Sequence, residues 1–282
     1  MKKILLICYC LLAASVTFAQ IGFKKKKEDI EQFKDTRLVV VLMADSAYNA
    51  SIMEAVEKYW TFNAGYLFVQ DSAIKAYNKP EYSYLHFSKG KGAKIKAKLG
   101  SCESDINALI VTGGGKFKKK ALAQDLIAAG YCSSSIDTTD WRPELIRAVQ
   151  MLNNYFTTAI ESEGDKGMSN SSIIAQAPTD ASLLDLPLYV PLRTLDLKGK
   201  EDAATLWGGE VEEMDIDDIY KAILQNQNAL VYFYSKDEKY CTKIVTSTNG
   251  QLVYWDETSI DKCGLNAKDL KALKAKRDQA NK

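Results

Sequence analysis

An α/β fold, a mixed sheet flanked by helices and closed by a C-terminal three-stranded antiparallel meander, is predicted by three stretches of this sequence. Arg37-Leu38-Val39-Val40-Val41-Leu42-Met43 is a continuous apolar run, β-branched at its centre, the composition of a strand buried on both faces. The residues that follow place Ile52, Val56, Tyr59 and Trp60 on one helical face, and Tyr66-Leu67-Phe68-Val69 makes a second strand. Strand, helix and strand in succession are the unit of layered α/β proteins. Residues 229–256 hold three strand-like runs, the last two joined by Asn249-Gly250, a pair that accepts the positive φ angles of a two-residue type I′ turn.

The chain opens with Met1-Lys2-Lys3, continues as an apolar run from Ile4 to Val16 and closes it with Thr17-Phe18-Ala19. That pattern predicts a signal peptide over 1–19, cut between Ala19 and Gln20. The run is shorter than the roughly 20 residues a spanning helix needs. Ile7 precedes Cys8 and Tyr9 precedes Cys10, so neither follows the small residue that marks a lipid-attachment cysteine. The expectation is an exported protein, periplasmic or extracellular, without a transmembrane segment after leader cleavage.

Residues 20–36 read as a polar, basic linker, or a frayed helix before the fold, with Lys24, Lys25, Lys26 and Lys27 together. An α/β half is expected over 37–164. Within it Asn49 is the predicted N-cap of the first helix, 71–78 a short helix or turn, and Tyr82 to Phe87 a strand. Ser88 to Lys98 reads as an excursion or hairpin edge, and Ile106 to Val111 as a buried strand. Lys116 to Ala129 is a predicted helix stopped by Gly130. A long helix opens at Asp140-Trp141-Arg142-Pro143-Glu144, with Leu145, Val149, Leu152 and Phe156 as its apolar stripe. An α+β C-terminal half is expected over 165–282. Ile173-Ile174-Ala175 is a short strand candidate there, and Pro187 and Pro191 mark 183–190 as an extended or edge segment. A helix capped by Asp215 precedes the meander at 229–256, and a charged helix from Ala267 to about Arg277 closes the chain.

Removing the leader takes Lys2 and Lys3 from 37 basic side chains and nothing from 36 acidic ones, so the formal charge falls from +1 to about −1. Such balance argues against nucleic acid as a partner. Four cysteines remain, and export favours pairing them. Cys102 with Cys132 and Cys241 with Cys263 are the expected local disulfides.

The lone histidine, His86, lies inside a predicted strand. A two-histidine zinc motif is therefore excluded within one chain, and no G-x-S-x-G elbow exists to pair with it. The acidic run Glu210, Glu212, Glu213, Asp215, Asp217 and Asp218 has Ile219 and Tyr220 where a calcium loop needs an oxygen ligand and a glycine. Tyr232 and Tyr234 share a strand face, as a stacking platform would, although cross-strand packing accounts for such a pair equally well.

Thr112-Gly113-Gly114-Gly115-Lys116 stands between a predicted strand and a predicted helix, where glycine backbone and helix N–H groups suit an anion. Ile110 and Phe117 break the P-loop pattern, and Lys118 breaks G-x-G-x-x-G. These five residues are the candidate ligand site. The functional expectation is a secreted or periplasmic, non-enzymatic binding or envelope-associated protein without a cofactor, its partner an envelope protein or a small anionic ligand. The alternative is a small-molecule enzyme or receptor that binds a phosphate- or carboxylate-bearing ligand at 112–116.

Overall fold

A computed structural model describes residues 27–88, 96–97, 100–101, 108–113, 115, 117, 126–132, 140–161, 181–197, 200–236 and 240–280. The expected leader cleavage site, Cys102, Gly114, Lys116 and the strand candidate at 173–175 lie outside them.

The first helix, α1 (Lys27–Asp35), occupies part of the stretch expected as linker. Its Ile30 and Phe33 are buried, and the Phe33 ring packs on Trp60, Phe62 and Phe156. Two apolar residues at i and i+3 dock a short helix, a signal that the surrounding lysines outnumber. Asn63 fixes its end: Nδ2 donates to the carbonyls of Phe33 at 2.6 Å and Thr36 at 3.1 Å.

Strand β1 (Arg37–Leu42) lies between β2 (Tyr66–Gln70) and β3 (Tyr82–Ser88), parallel to both. Burial on both faces explains its unbroken apolar run. Helix α2 (Ser46–Tyr59) makes the β1–β2 crossover. Its N-cap is Asp45, not Asn49: Asp45 Oδ1 accepts from the Tyr48 N–H at 3.0 Å. Asn49 instead turns back on β1's end, bonding both the N–H and the carbonyl of Met43 at 2.9 and 2.8 Å.

Strand β3 follows a 3-10 helix, Asp71–Tyr77. The excursion after it includes a two-residue ribbon, β4 (Lys96–Ala97) with β5 (Gly100–Ser101). Strand β6 (Ala108–Thr112) then runs antiparallel to β3, and β7 (Leu126–Tyr131) antiparallel to β6, completing a sheet in the order β2-β1-β3-β6-β7. Residues 118–125 of the helix expected over Lys116 to Ala129 lie outside the described residues; its end, 126–129, is corrected to strand β7, which runs on to Tyr131. Helix α3 (Arg142–Glu161) decides this. A β-carbon on Gly130 would stand 3.0 Å from the Ala148 carbonyl and 3.1 Å from Leu152. The residues Ala-Ala-Gly read as helix and stop because they lack β-branching; the bare α-carbon of Gly130 instead admits α3 onto the strand.

Helix α3 carries the predicted stripe, but it is buried nearly all round. Glu144, Arg147 and Gln150 are as hidden as Leu145 and Val149. Its second face meets the other sheet. Arg147 lies 3.4 Å over the Phe233 ring and 2.5 Å from Glu144 Oε2, and Glu144 Oε1 accepts from the Tyr220 hydroxyl at 3.0 Å.

Helix α4 (Ala181–Leu184) leads into β8 (Leu188–Pro191). The second sheet has the order β10-β8-β11-β12-β13, with β10 (Val211–Met214), β11 (Leu230–Lys236), β12 (Tyr240–Ser247) and β13 (Leu252–Ser259). Strand β8 is interior, parallel to β10 and β11, which corrects the edge reading of 183–190. The prolines permit it because Pro187 precedes the strand and Pro191 ends it, beyond the Leu188 and Tyr189 pairs with β11. Strands β11, β12 and β13 form the expected antiparallel meander. Its tip differs from the two-residue turn. Gly250 has φ 80° and Asn249 is not in the left-handed region. The Gly250 N–H donates to Ser247 O and the Ser247 N–H to Gln251 O, each at 2.9 Å. That is a three-residue loop with glycine in the left-handed position after a turn.

Helices α5 (Lys200–Trp207) and α7 (Ala267–Ala280) cover one face of this sheet against Leu188, Leu230, Tyr232 and Val245. Helix α6 (Ile216–Leu224) and α3 lie on the other, against Val231, Phe233 and Ile244. One core thus runs from the first sheet through α3 into the second. A short parallel pair, β9 (Leu195–Asp196) with β14 (Leu265–Asn266), ties the far side.

The Cys241–Cys263 disulfide is formed, with Cα atoms 5.5 Å apart. The expected partner bond of Cys132 is not: Cys132 is a free, fully buried thiol on the residue after β7, and burial pushes its pKa well up. No helix among the described residues is long and apolar enough to cross a membrane.

Candidate functional site

The 112–116 turn leads to Phe117, which is not helical, and residues 118–125 lie outside the described residues. The turn leaves β6, and the next described strand, β7, returns antiparallel beside it. Thr112 is buried, and Gly115 has φ 98° with open space around its α-carbon. Phe117 is the anchor. Its N–H donates to Asn78 Oδ1 at 2.9 Å, and its ring lies edge-on to Tyr84 and His86 at 5.4 and 5.2 Å. The residue that spoils the P-loop pattern is therefore an apolar plug on the first sheet's outer face. His86 is a buried β3 residue beneath it.

Tyr232, Tyr234 and Tyr254 of the meander are packed. Tyr232 is fully buried and its hydroxyl donates to the Cys263 carbonyl; Tyr234 packs in the same cluster. Tyr254 donates to Asp269 Oδ1 at 2.7 Å. Asp269 also binds Lys243 Nζ at 2.7 Å, with both side chains 1% exposed. It closes a capping box with Asn266: Asp269 Oδ2 accepts the Asn266 N–H at 3.0 Å, and Asn266 Oδ1 accepts the Asp269 N–H at 3.2 Å. This network pins α7 to the meander. Of the acidic run, Glu212 and Glu213 lie on β10 and Asp215 stands before α6. No group of three or more potential metal ligands occurs among the described residues.

A groove of about 690 Å³ lies where the C-terminal half of α3 meets the loop after α6 and the β12–β13 tip. Its lining is rich in carboxamides. Helix α3 contributes Gln150, Asn153 and Asn154; the two loops contribute Asn226, Asn228, Asn249 and Gln251. Thr157, Thr158 and Thr248 add hydroxyls, Glu161 stands at one end, and Tyr59, Met151 and Leu252 supply apolar surface.

Part of this lining is committed to the fold. Asn153 Oδ1 accepts from the N–H groups of Thr61 and Phe62 at 2.8 and 3.1 Å. Asn154 Nδ2 donates to Asn249 O at 3.1 Å, tying α3 to the hairpin tip. Asn226 ends α6 with φ 50°, and the Gln227 N–H reaches Ala222 O at 3.0 Å, a Schellman closure with asparagine in its left-handed position. The Thr248 hydroxyl donates to Gln227 O, which brings the two loops together.

Two residues of the lining carry an unbonded polar atom that the fold seals from solvent. Gln150 Oε1 and the Tyr155 hydroxyl are buried, their residues 5% and 4% exposed, without a hydrogen-bond partner among the described residues. Burial pushes the Tyr155 pKa well up, so it stays a neutral donor and acceptor. Sequence reasoning missed the groove. The visible signal was three amide clusters, at 153–154, 226–228 and 249–251, but nothing in the chain relates them until α6 and the hairpin are placed against α3.

Comparison with protein-family models, curated proteins and solved structures finds no match to this chain.

Proposed function

We propose that the chain is an exported, non-enzymatic binding protein that takes its ligand in the groove between α3 and the loops at 226–228 and 248–251. One observation carries this: the groove gathers carboxamides from three segments distant in sequence, with Asn226, Asn228 and Gln251 presented from the two loops. Such groups offer donors and acceptors side by side in a concavity, which a ligand with hydrogen-bonding groups would satisfy.

Binding rather than turnover is favoured by the lining. Among the described residues it holds one carboxylate, Glu161, and no histidine, lysine or cysteine, whereas acid–base chemistry draws on groups poised near the working pH. Export is read from residues 1–19, and the Cys241–Cys263 bond fits an oxidising compartment.

A thermal-shift screen of the mature protein against neutral sugars, short peptides, nucleosides and organic anions tests the proposal, with Asn228→Trp as a variant that fills the groove. The expected result is a compound that raises Tm in the parent, fails to do so in Asn228→Trp, and is recovered unchanged by mass spectrometry. A compound stabilising both proteins equally, no stabilising compound, or recovery of an altered compound overturns it.

A further inference from the structure

We infer that the ligand of this groove is a neutral carbohydrate, an inference that rests on the groove being the binding site. A sugar hydroxyl donates and accepts at once, and a carboxamide side chain presents a donor and an acceptor side by side. Helix α3 and two loop tips place such groups around one concavity, with Asn226, Asn228 and Gln251 presented from the loops. Leu252 and Tyr59 offer the apolar surface against which the C–H face of a sugar ring packs.

The same lining disfavours other ligands. Among the described residues it contains no lysine, arginine or histidine, so a phosphate or carboxylate would be desolvated there without a counter-charge. An extended peptide gains most of its affinity from an open strand edge or from a row of apolar pockets. The long wall here is helix α3, whose backbone groups bond internally, and edge strand β13 meets the groove only at its Leu252 end. The loops are set before binding: Asn226 closes α6, Thr248 bonds to Gln227, and Asn154 holds Asn249. The polar array is thus preorganised, which lowers the ordering cost of binding.

Calorimetry on the full mature protein tests this with neutral oligomers of glucose, mannose, galactose and N-acetylglucosamine. A short uncharged Gly/Ser/Asn peptide and inorganic phosphate are the comparison probes. The expected result is saturable binding of at least one neutral oligosaccharide and no heat with phosphate. Asn228→Ala and Gln251→Ala should each weaken that binding about tenfold, the loss of one hydrogen bond, with Tm held. The unchanged Tm separates a lost ligand contact from a loosened loop. Binding of the peptide but no sugar, weakened by both substitutions, leaves the groove as the site and overturns the carbohydrate inference. Sugar binding unaffected by either substitution overturns this inference at the groove, and binding of none of the probes overturns it together with the groove reading.

Discussion

A β-carbon on Gly250 would lie 2.5 Å from the β-carbon of Gln150 and 2.8 Å from the Met151 nitrogen. The hairpin tip of the second sheet therefore rests directly on the backbone of α3, and Gly250 is the residue that permits it.

Gly250→Ala should destabilise the protein by about 2–4 kcal/mol, combining the strain of a side chain at φ 80° with overpacking against α3. Urea unfolding checks the value. Ligand affinity should fall with it, because Asn249 and Gln251 line the groove on either side of this glycine.

Lys243→Met should cost about 3 kcal/mol, since it leaves the Asp269 carboxylate buried beside an apolar chain. The double variant Lys243→Met with Asp269→Asn should recover part of that loss. Denaturant melts of the three proteins decide; a double variant less stable than the single one would refute the pairing.

Lys276 is half-buried, and burial lowers its pKa to about 8 from 10.5. Between those values the unfolded chain holds a proton that the folded chain has released, so stability contributed at this site rises with pH through that window. Below it the folded protein carries the whole penalty of a desolvated ammonium. Lys276→Met should therefore stabilise at pH 7 by about 1 kcal/mol after allowing for solvent screening. The gain should shrink above pH 8. A gain that grows with pH contradicts the assignment.

Reducing Cys241–Cys263, which closes a span of 22 residues, should lower stability by about 3 kcal/mol. Iodoacetamide should leave Cys132 unmodified in the native protein and alkylate it in urea, because its thiol is fully buried and its thiolate disfavoured. Mass spectrometry of the peptides reads both outcomes.

N-terminal sequencing of the exported product should begin at Gln20. Retention of Met1, or a lipid on a cysteine, would contradict the leader reading.

What the sequence determined by itself was local. The run at Arg37–Leu42, the face of the helix over Ser46–Tyr59, the long helix at Arg142–Glu161 and the meander were legible because burial period and turn residues act within a few positions. The tertiary structure decided whatever depends on a neighbour distant in sequence. Leu126–Tyr131 is strand because α3 needs the space that Gly130 leaves; Pro187 and Pro191 flank an interior strand because β10 and β11 arrive on its two sides. Cys241 and Cys263 meet across two adjacent elements, whereas Cys132 is sealed beneath α3. The 112–116 turn was conspicuous in composition, but the packing of the next residue, Phe117, against Tyr84 and His86 was not legible, because those partners come from another strand. The groove was silent, because asparagine and glutamine carry no periodic signal. Their common position exists only where α3, the end of α6 and the Gly250 tip converge.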